Sequence, residues 1–139
     1  MMGAWEKIVP ALERLSGDTG VYLCNLVTGD MRAYAADKPV VAASVIKIPV
    51  MIEVFRQARD GLLDILKDQR LNGKLPFFLH TMGVSVAHKT GEDDGITHDV
   101  GIIYAKEPMV CCFVGEHVDV PGYERLMQDA AKWVAEEGL

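Results

Sequence analysis

Val84-Ser85-Val86-Ala87-His88-Lys89, Glu92-Asp93-Asp94-Gly95, Asp99-Val100-Gly101-Ile102-Ile103-Tyr104-Ala105, Lys106-Glu107-Pro108 and Met109-Val110-Cys111-Cys112-Phe113-Val114-Gly115 follow one another along the chain, and this stretch decides the fold. Its apolar, β-branched runs are parted by short groups of turn residues. That pattern predicts strands at 84–89, 99–105 and 109–115 joined as consecutive hairpins. Turns this short make the pairing antiparallel. The run Val110 to Val114 is apolar at both parities, and so is Val21-Tyr22-Leu23-Cys24. A strand apolar on both sides is covered on both faces of its sheet.

Upstream, Gly20 to Leu26 is rich in strand formers, and Thr28-Gly29-Asp30 turns it into Met31-Arg32-Ala33-Tyr34-Ala35, a further hairpin. Over residues 2–15, Trp5, Ile8, Val9, Leu12 and Leu15 share one helical face, and a closing helix from about Pro121 to Glu137 shows Tyr123, Leu126, Met127, Ala130 and Val134 at the same spacing. Between the two groups of strands lie a helix from Ser44 to about Arg59, with Pro49 tolerated only near its first turn, and a second over 62–72, ended by Asn72-Gly73. The expected class is α+β: a five-stranded antiparallel sheet, the terminal helices on one face and the 44–72 helices on the other. Residues 1–139 are read as one domain.

Half of the 139 residues are hydrophobic and 24% are charged, which describes a folded chain with a core of its own. A net charge of −6 with scattered Lys and Arg gives no basic stripe for nucleic acid. No apolar run reaches membrane-spanning length. No leader is legible at the N-terminus, so the expectation is a cytoplasmic chain, or a secreted one whose signal has been removed. Cys24, Cys111 and Cys112 have no framework spacing and read as buried free thiols. His80, His88, His98 and His117 follow no metal-ligand pattern, and no cofactor is expected.

Two short words carry chemistry. In Ser44-Val45-Ile46-Lys47, residues three apart on a helix share a face, so a hydroxyl meets an amine able to take its proton. The helix start adds free backbone N–H groups, that of Ser44 among them, where an oxyanion would form. The same residues also read as a helix cap and a surface charge. In Lys89-Thr90-Gly91-Glu92, a lysine and a hydroxyl at a strand end can hold a carboxylate. Gly91 leaves room for a substrate laid along the strand, and the N–H of Glu92 offers a second oxyanion donor. By itself this word also reads as a strand running into a turn.

Together the S-x-x-K and K-T-G words resemble those of the class A β-lactamases and penicillin-binding serine hydrolases. The resemblance extends over Ala42 to Val50, Gln69 to Pro76, Val86 to Glu92 and His98 to Ile102. It implies Ser44 as acylated nucleophile and Lys47 as its base. It also implies Lys89, Thr90 and Gly91 as substrate-binding residues, with the N–H groups of Ser44 and Glu92 as oxyanion hole. His88 and His98 fall on family positions read as structural. The implied substrate is a β-lactam or a related carboxylate-bearing amide or ester. Arg59-Asp60-Gly61-Leu62-Leu63-Asp64 runs straight on to Ile65-Leu66-Lys67-Asp68-Gln69, where the family carries a helical domain. The family's Ser-Asp-Asn triplet and its deacylating glutamate are absent. Acylation is therefore expected to be slow and turnover weak or nil. The alternatives are a non-catalytic remnant or engineered fragment acting as a folded, oligomerising module, and a binder of small carboxylates through Lys89 and Thr90.

Val45, Ile46, Ile48, Val50, Met51, Ile52, Val54 and Phe55 make the first of these helices apolar on almost every side. Without a covering domain that surface predicts a homo-oligomer formed through residues 44–72.

Overall fold

Antiparallel pairing places the strands in the order β2-β1-β5-β4-β3. They are β1 (Asp18–Asn25), β2 (Met31–Tyr34), β3 (Ser85–Asp93), β4 (Ile96–Tyr104) and β5 (Pro108–Glu116). The computed structural model describes residues 2–49, 52 and 61–139. Helices α1 (Ala4–Glu13) and α4 (Val120–Glu137) lie together on one face of the sheet. Two shorter helices, α2 (Leu62–Lys67) and α3 (Pro76–Leu79), precede β3. The α+β class and the five-stranded antiparallel sheet are as the hairpin pattern predicts.

Strand alternation separates two layers. Val21 and Leu23 of β1, Met109, Cys111 and Phe113 of β5, Ile103 of β4 and Val86 of β3 turn toward the terminal helices. There they join Ile8, Leu12, Tyr123, Met127 and Val134 in one core. Burying each large apolar side chain contributes roughly 1.5–3 kcal/mol. The hydroxyl of Tyr123 donates to the Val114 carbonyl at 2.9 Å, so its ring is held without leaving a polar atom stranded. The opposite face carries the Ser44 segment and α2, packed against the β3–β4 side of the sheet.

Several expectations change. β3 runs to Asp93 and β4 begins at Ile96, because Glu92 pairs with Thr97 and Asp93 with Ile96; the turn is only Asp94-Gly95, with Gly95 at φ +66. The helix expected at 62–72 stops at Lys67. Of its apolar residues Leu66 is buried, whereas Leu63, Ile65 and Leu71 stay exposed. The helix expected from Ser44 begins as a 3-10 turn, Ala43–Ile46, and residues 47–49 and 52 are α-helical. The rest of it, with Val50, Met51, Val54 and Phe55, lies outside the described residues. Pro49 lacks the N–H that would reach back to Val45, which weakens α-type bonding in this first turn. Of the three thiols only Cys111 is fully buried; Cys24 and Cys112 are half-buried, and all three are free.

Candidate active site

Ser44 sits in a 3-10 turn immediately after Ala43, whose φ is +47. A left-handed conformation in a residue with a Cβ costs of order 1–3 kcal/mol and persists only where the surroundings enforce it. The enforcing contacts are visible. His98 is fully buried and donates from Nε2 to the Val41 carbonyl at 2.6 Å, while its Nδ1 accepts the Gly115 N–H at 3.1 Å. Accepting at Nδ1 fixes the neutral, Nε2-protonated tautomer. A Glu116 carboxylate oxygen accepts the Val41 N–H at 3.3 Å. Strands β4 and β5 thus leash the chain just ahead of Ser44.

The Lys47 ammonium donates to Ser44 Oγ at 3.4 Å on the open surface. That is long for such a bond, in the loose range common for a nucleophile and its base before substrate arrives. The turn can lie this close to β3 because position 91 is glycine. A Cβ there would come within 3.0 Å of Val45 Cγ2, 3.2 Å of Val45 N and 3.3 Å of the Ala42 carbonyl.

Lys89, two residues before Gly91 and on the same strand face, is half-buried and donates to the Thr90 carbonyl at 2.8 Å. Burial holds its ammonium below the ordinary lysine value; repulsion from Lys47 adds to this, and Asp99 and Glu92 act the other way. Lys89 lies on the strand, and on the strand face, that packs against the Ser44 turn through Gly91. Ser44, Lys47, Lys89 and Gly91 are therefore brought together. Thr90 is not. Its side chain is 4% exposed and lines a cavity of about 150 Å³ with Leu71, Gly73, Lys74, Glu92 and Glu124. Alternation along the strand turns it from the Lys89 face, so the carboxylate-binding pair read from the sequence is divided between two faces. Another cavity, about 540 Å³, is lined by Lys67, Arg70, His80 and Val86 among others and by none of these site residues.

The sequence reading missed the groups behind the K-T-G strand. The buried Asp99 carboxylate accepts from His88 Nδ1 at 2.8 Å and from the Leu75 N–H at 3.0 Å. His88 Nε2 has no hydrogen-bond partner among the described residues. Lys74, which the sequence reading left without a role, is buried among oxygens. No spacing rule joins residues this far apart in the chain. Among the described residues no group of His, Cys, Asp or Glu side chains could hold a metal ion, and no described helix is long and apolar enough to cross a membrane.

A serine on a tight turn, a lysine against it and a second ammonium at the rim of an antiparallel sheet define a serine-hydrolase-like arrangement. The model of the β-lactamase enzyme family matches residues 4–67 and 59–137, and the chain belongs to that family. The β-lactamase of Sphaerobacter thermophilus DSM 20745 is similar in structure, at 14% identity and a TM-score of 0.79, over 95% of this chain and 95% of that one. PBP-A gives 15% identity and a TM-score of 0.80, over 96% and 94%. A mutant of PBP-A, solved as an acyl-enzyme complex with penicillin G, gives 14% and 0.78 over the same shares. At such identities the likeness is one of fold. No protein of curated function matches the sequence.

Proposed function

We propose that the protein is a serine acyl-transfer protein acting on a β-lactam or a related carboxylate-bearing amide or ester, and that it turns its substrate over slowly or not at all. The observation that carries this is the 3.4 Å contact between Lys47 Nζ and Ser44 Oγ, with Lys89 on the strand that packs against the same turn. Ser44 Oγ attacks the carbonyl carbon while its proton passes to Lys47 Nζ, which acts as the base once it has released a proton of its own to solvent. The carbonyl becomes an oxyanion facing the N–H groups of Ser44 and Glu92. The C–N bond then breaks, the nitrogen takes up a proton, and an ester on Ser44 remains. Lys89 holds the substrate carboxylate as a point charge. Thr90 and Gly91 complete the strand on which the substrate lies, Gly91 by leaving space and Thr90 through its carbonyl, which anchors Lys89.

Slow turnover follows from the missing middle segment. The two stretches matched by the family model overlap at 59–67, the same place where the sequence omits the segment that would carry the deacylating base, and this supports the reading. An ester without a base to activate water persists. Intact-protein mass spectrometry after incubation with penicillin G is expected to show one stable adduct, absent in Ser44→Ala. A wild-type chain that stays unmodified after prolonged incubation refutes the proposal and favours a non-catalytic module.

One observation favours association in either case. Ile46, Ile52, Leu63, Ile65 and Leu71, all within residues 44–72, are 45–59% exposed. Five of the twelve large apolar residues exposed among the described residues fall in this stretch; apolar surface of this kind marks an interface, and a second copy of the chain supplies matching surface. Light scattering at micromolar concentration is expected to give the mass of a dimer or a higher oligomer.

A further inference from the structure

Lys74 is the most buried lysine or arginine among the described residues, with a side chain 5% exposed. Its ammonium donates to the His98 carbonyl of β4 at 3.1 Å. It pairs with Glu92 of β3 at 3.0 Å and with Glu124 of α4 at 3.7 Å. Glu124 in turn accepts the Thr97 hydroxyl at 2.9 Å. The flanking backbone is fixed as well: the Leu75 N–H donates to Asp99 at 3.0 Å, and the Gly73 carbonyl accepts from Gln128 Nε2 at 2.7 Å. A charge removed from water is tolerable only with such a set of partners. Here the partners are the two sheet strands and the helix that meet where the K-T-G strand ends.

Glu92 is the residue whose backbone N–H is read as the second oxyanion donor, and its side chain is otherwise 61% exposed. Nothing else among the described contacts holds that side chain. Glu92 pairs with Thr97 across the hairpin, so Lys74 grips both members of the pair, one directly and one through Glu124. We propose that Lys74 is a positioning residue which, by fixing Glu92 and Thr97 against α4, holds the Glu92 N–H where the oxyanion forms.

This rests on the acyl-transfer reading above. An oxyanion donor acts on the transition state rather than on the bound substrate, and one such donor is worth about 100- to 1,000-fold in rate. Loosening it therefore lowers the acylation rate constant k2 and leaves the dissociation constant Ks of the non-covalent complex in place.

The test measures k2 and Ks with a fluorescent penicillin for wild type, Lys74→Met and Lys74→Arg, well below each melting temperature. Amide hydrogen exchange at Glu92 and Thr97 is followed in parallel by NMR. Lys74→Met is expected to lose about ten-fold or more in k2 with Ks unchanged. Protection at the two amides falls, and Lys74→Arg recovers most of both. Equal k2 in wild type and Lys74→Met overturns the inference, as does a joint change of k2 and Ks that arginine does not rescue. If Lys74→Met does not fold, Glu124→Gln takes its place, with a smaller loss of k2 expected and an unchanged k2 counting against the inference. A wild-type chain that forms no adduct removes the acyl-transfer reading, and this inference falls with it; adduct formation with an indifferent Lys74 removes this inference alone.

Discussion

Replacing His98 by leucine keeps the bulk of a ring that is fully buried and deletes both of its hydrogen bonds. The two losses are unequal. Gly115 is buried near the end of β5, paired with β1 and β4 on either side, so its N–H is stranded away from water at a cost of about 1–3 kcal/mol. Val41 is 51% exposed, so its carbonyl regains water and the loss there is about 0.5–1 kcal/mol. The sum is about 1.5–4 kcal/mol. For a domain of this length each kcal/mol lowers Tm by roughly 4 °C, so thermal unfolding followed by circular dichroism is expected to move down by about 10 °C. The same substitution unties the segment that holds Ala43 in its left-handed conformation. Labelling of Ser44 by a fluorescent penicillin, measured at a temperature where the variant is fully folded, is therefore expected to slow by at least about ten-fold. A variant that melts within a degree or two of wild type would falsify the energetic reasoning. One that is destabilised as expected yet labels at the wild-type rate would show that the leash does not position Ser44.

Lys89→Met is expected to raise Ks for a carboxylate-bearing penicillin about ten-fold or more, since a charge-assisted hydrogen bond is worth about 1.5–3 kcal/mol, with little effect on Tm. Because burial and Lys47 hold the Lys89 ammonium below its ordinary value of 10.5, the charge that binds the carboxylate is intact at low pH. It is lost as pH rises through that lowered value. Affinity measured from neutral pH upward should weaken earlier than for Lys89→Arg, and identical profiles for the two proteins refute this. Gly91→Val puts a Cβ 3.2 Å from the Val45 nitrogen and adds two methyl groups beyond it; the turn must shift, and labelling of Ser44 is expected to vanish in a chain that still folds. Phe113→Ala empties the centre of the core and is expected to cost about 3–5 kcal/mol by urea unfolding, with a loss below 1 kcal/mol contradicting the packing described.

The sheet was legible because its strands are short, apolar and separated by strong turn residues, and because hairpin partners are neighbours in sequence. The end of the β3–β4 hairpin was less so. Glu92 and Asp93 look like turn residues, yet both continue the ladder, since Asp94-Gly95 alone suffices to reverse the chain. Helix α2 was read too long because Leu71 continues the apolar spacing, although the residue is 59% exposed. Helix α3, with Pro76 at its first position and only Pro76–Leu79 inside it, is too short to show a period. Of the site, Ser44, Lys47, Lys89 and Gly91 were found through two local words. Lys74, Asp99 and Glu124 carry no sequence signal, and His88 reads only as structural, because what joins them is tertiary. The division between Lys89 and Thr90 follows from strand alternation, which the word K-T-G by itself does not reveal.

Strand β1 is paired along its whole length with β5, Asp18 opposite Glu116 and Asn25 opposite Met109. During synthesis the first hairpin therefore emerges well before the segment that completes it. At about 5–20 residues added per second, its inner edge waits for several seconds with main-chain donors and acceptors uncovered, open to pairing with a neighbouring nascent chain. High yields on overexpression are accordingly expected to depend on a chaperone that shields the waiting edge.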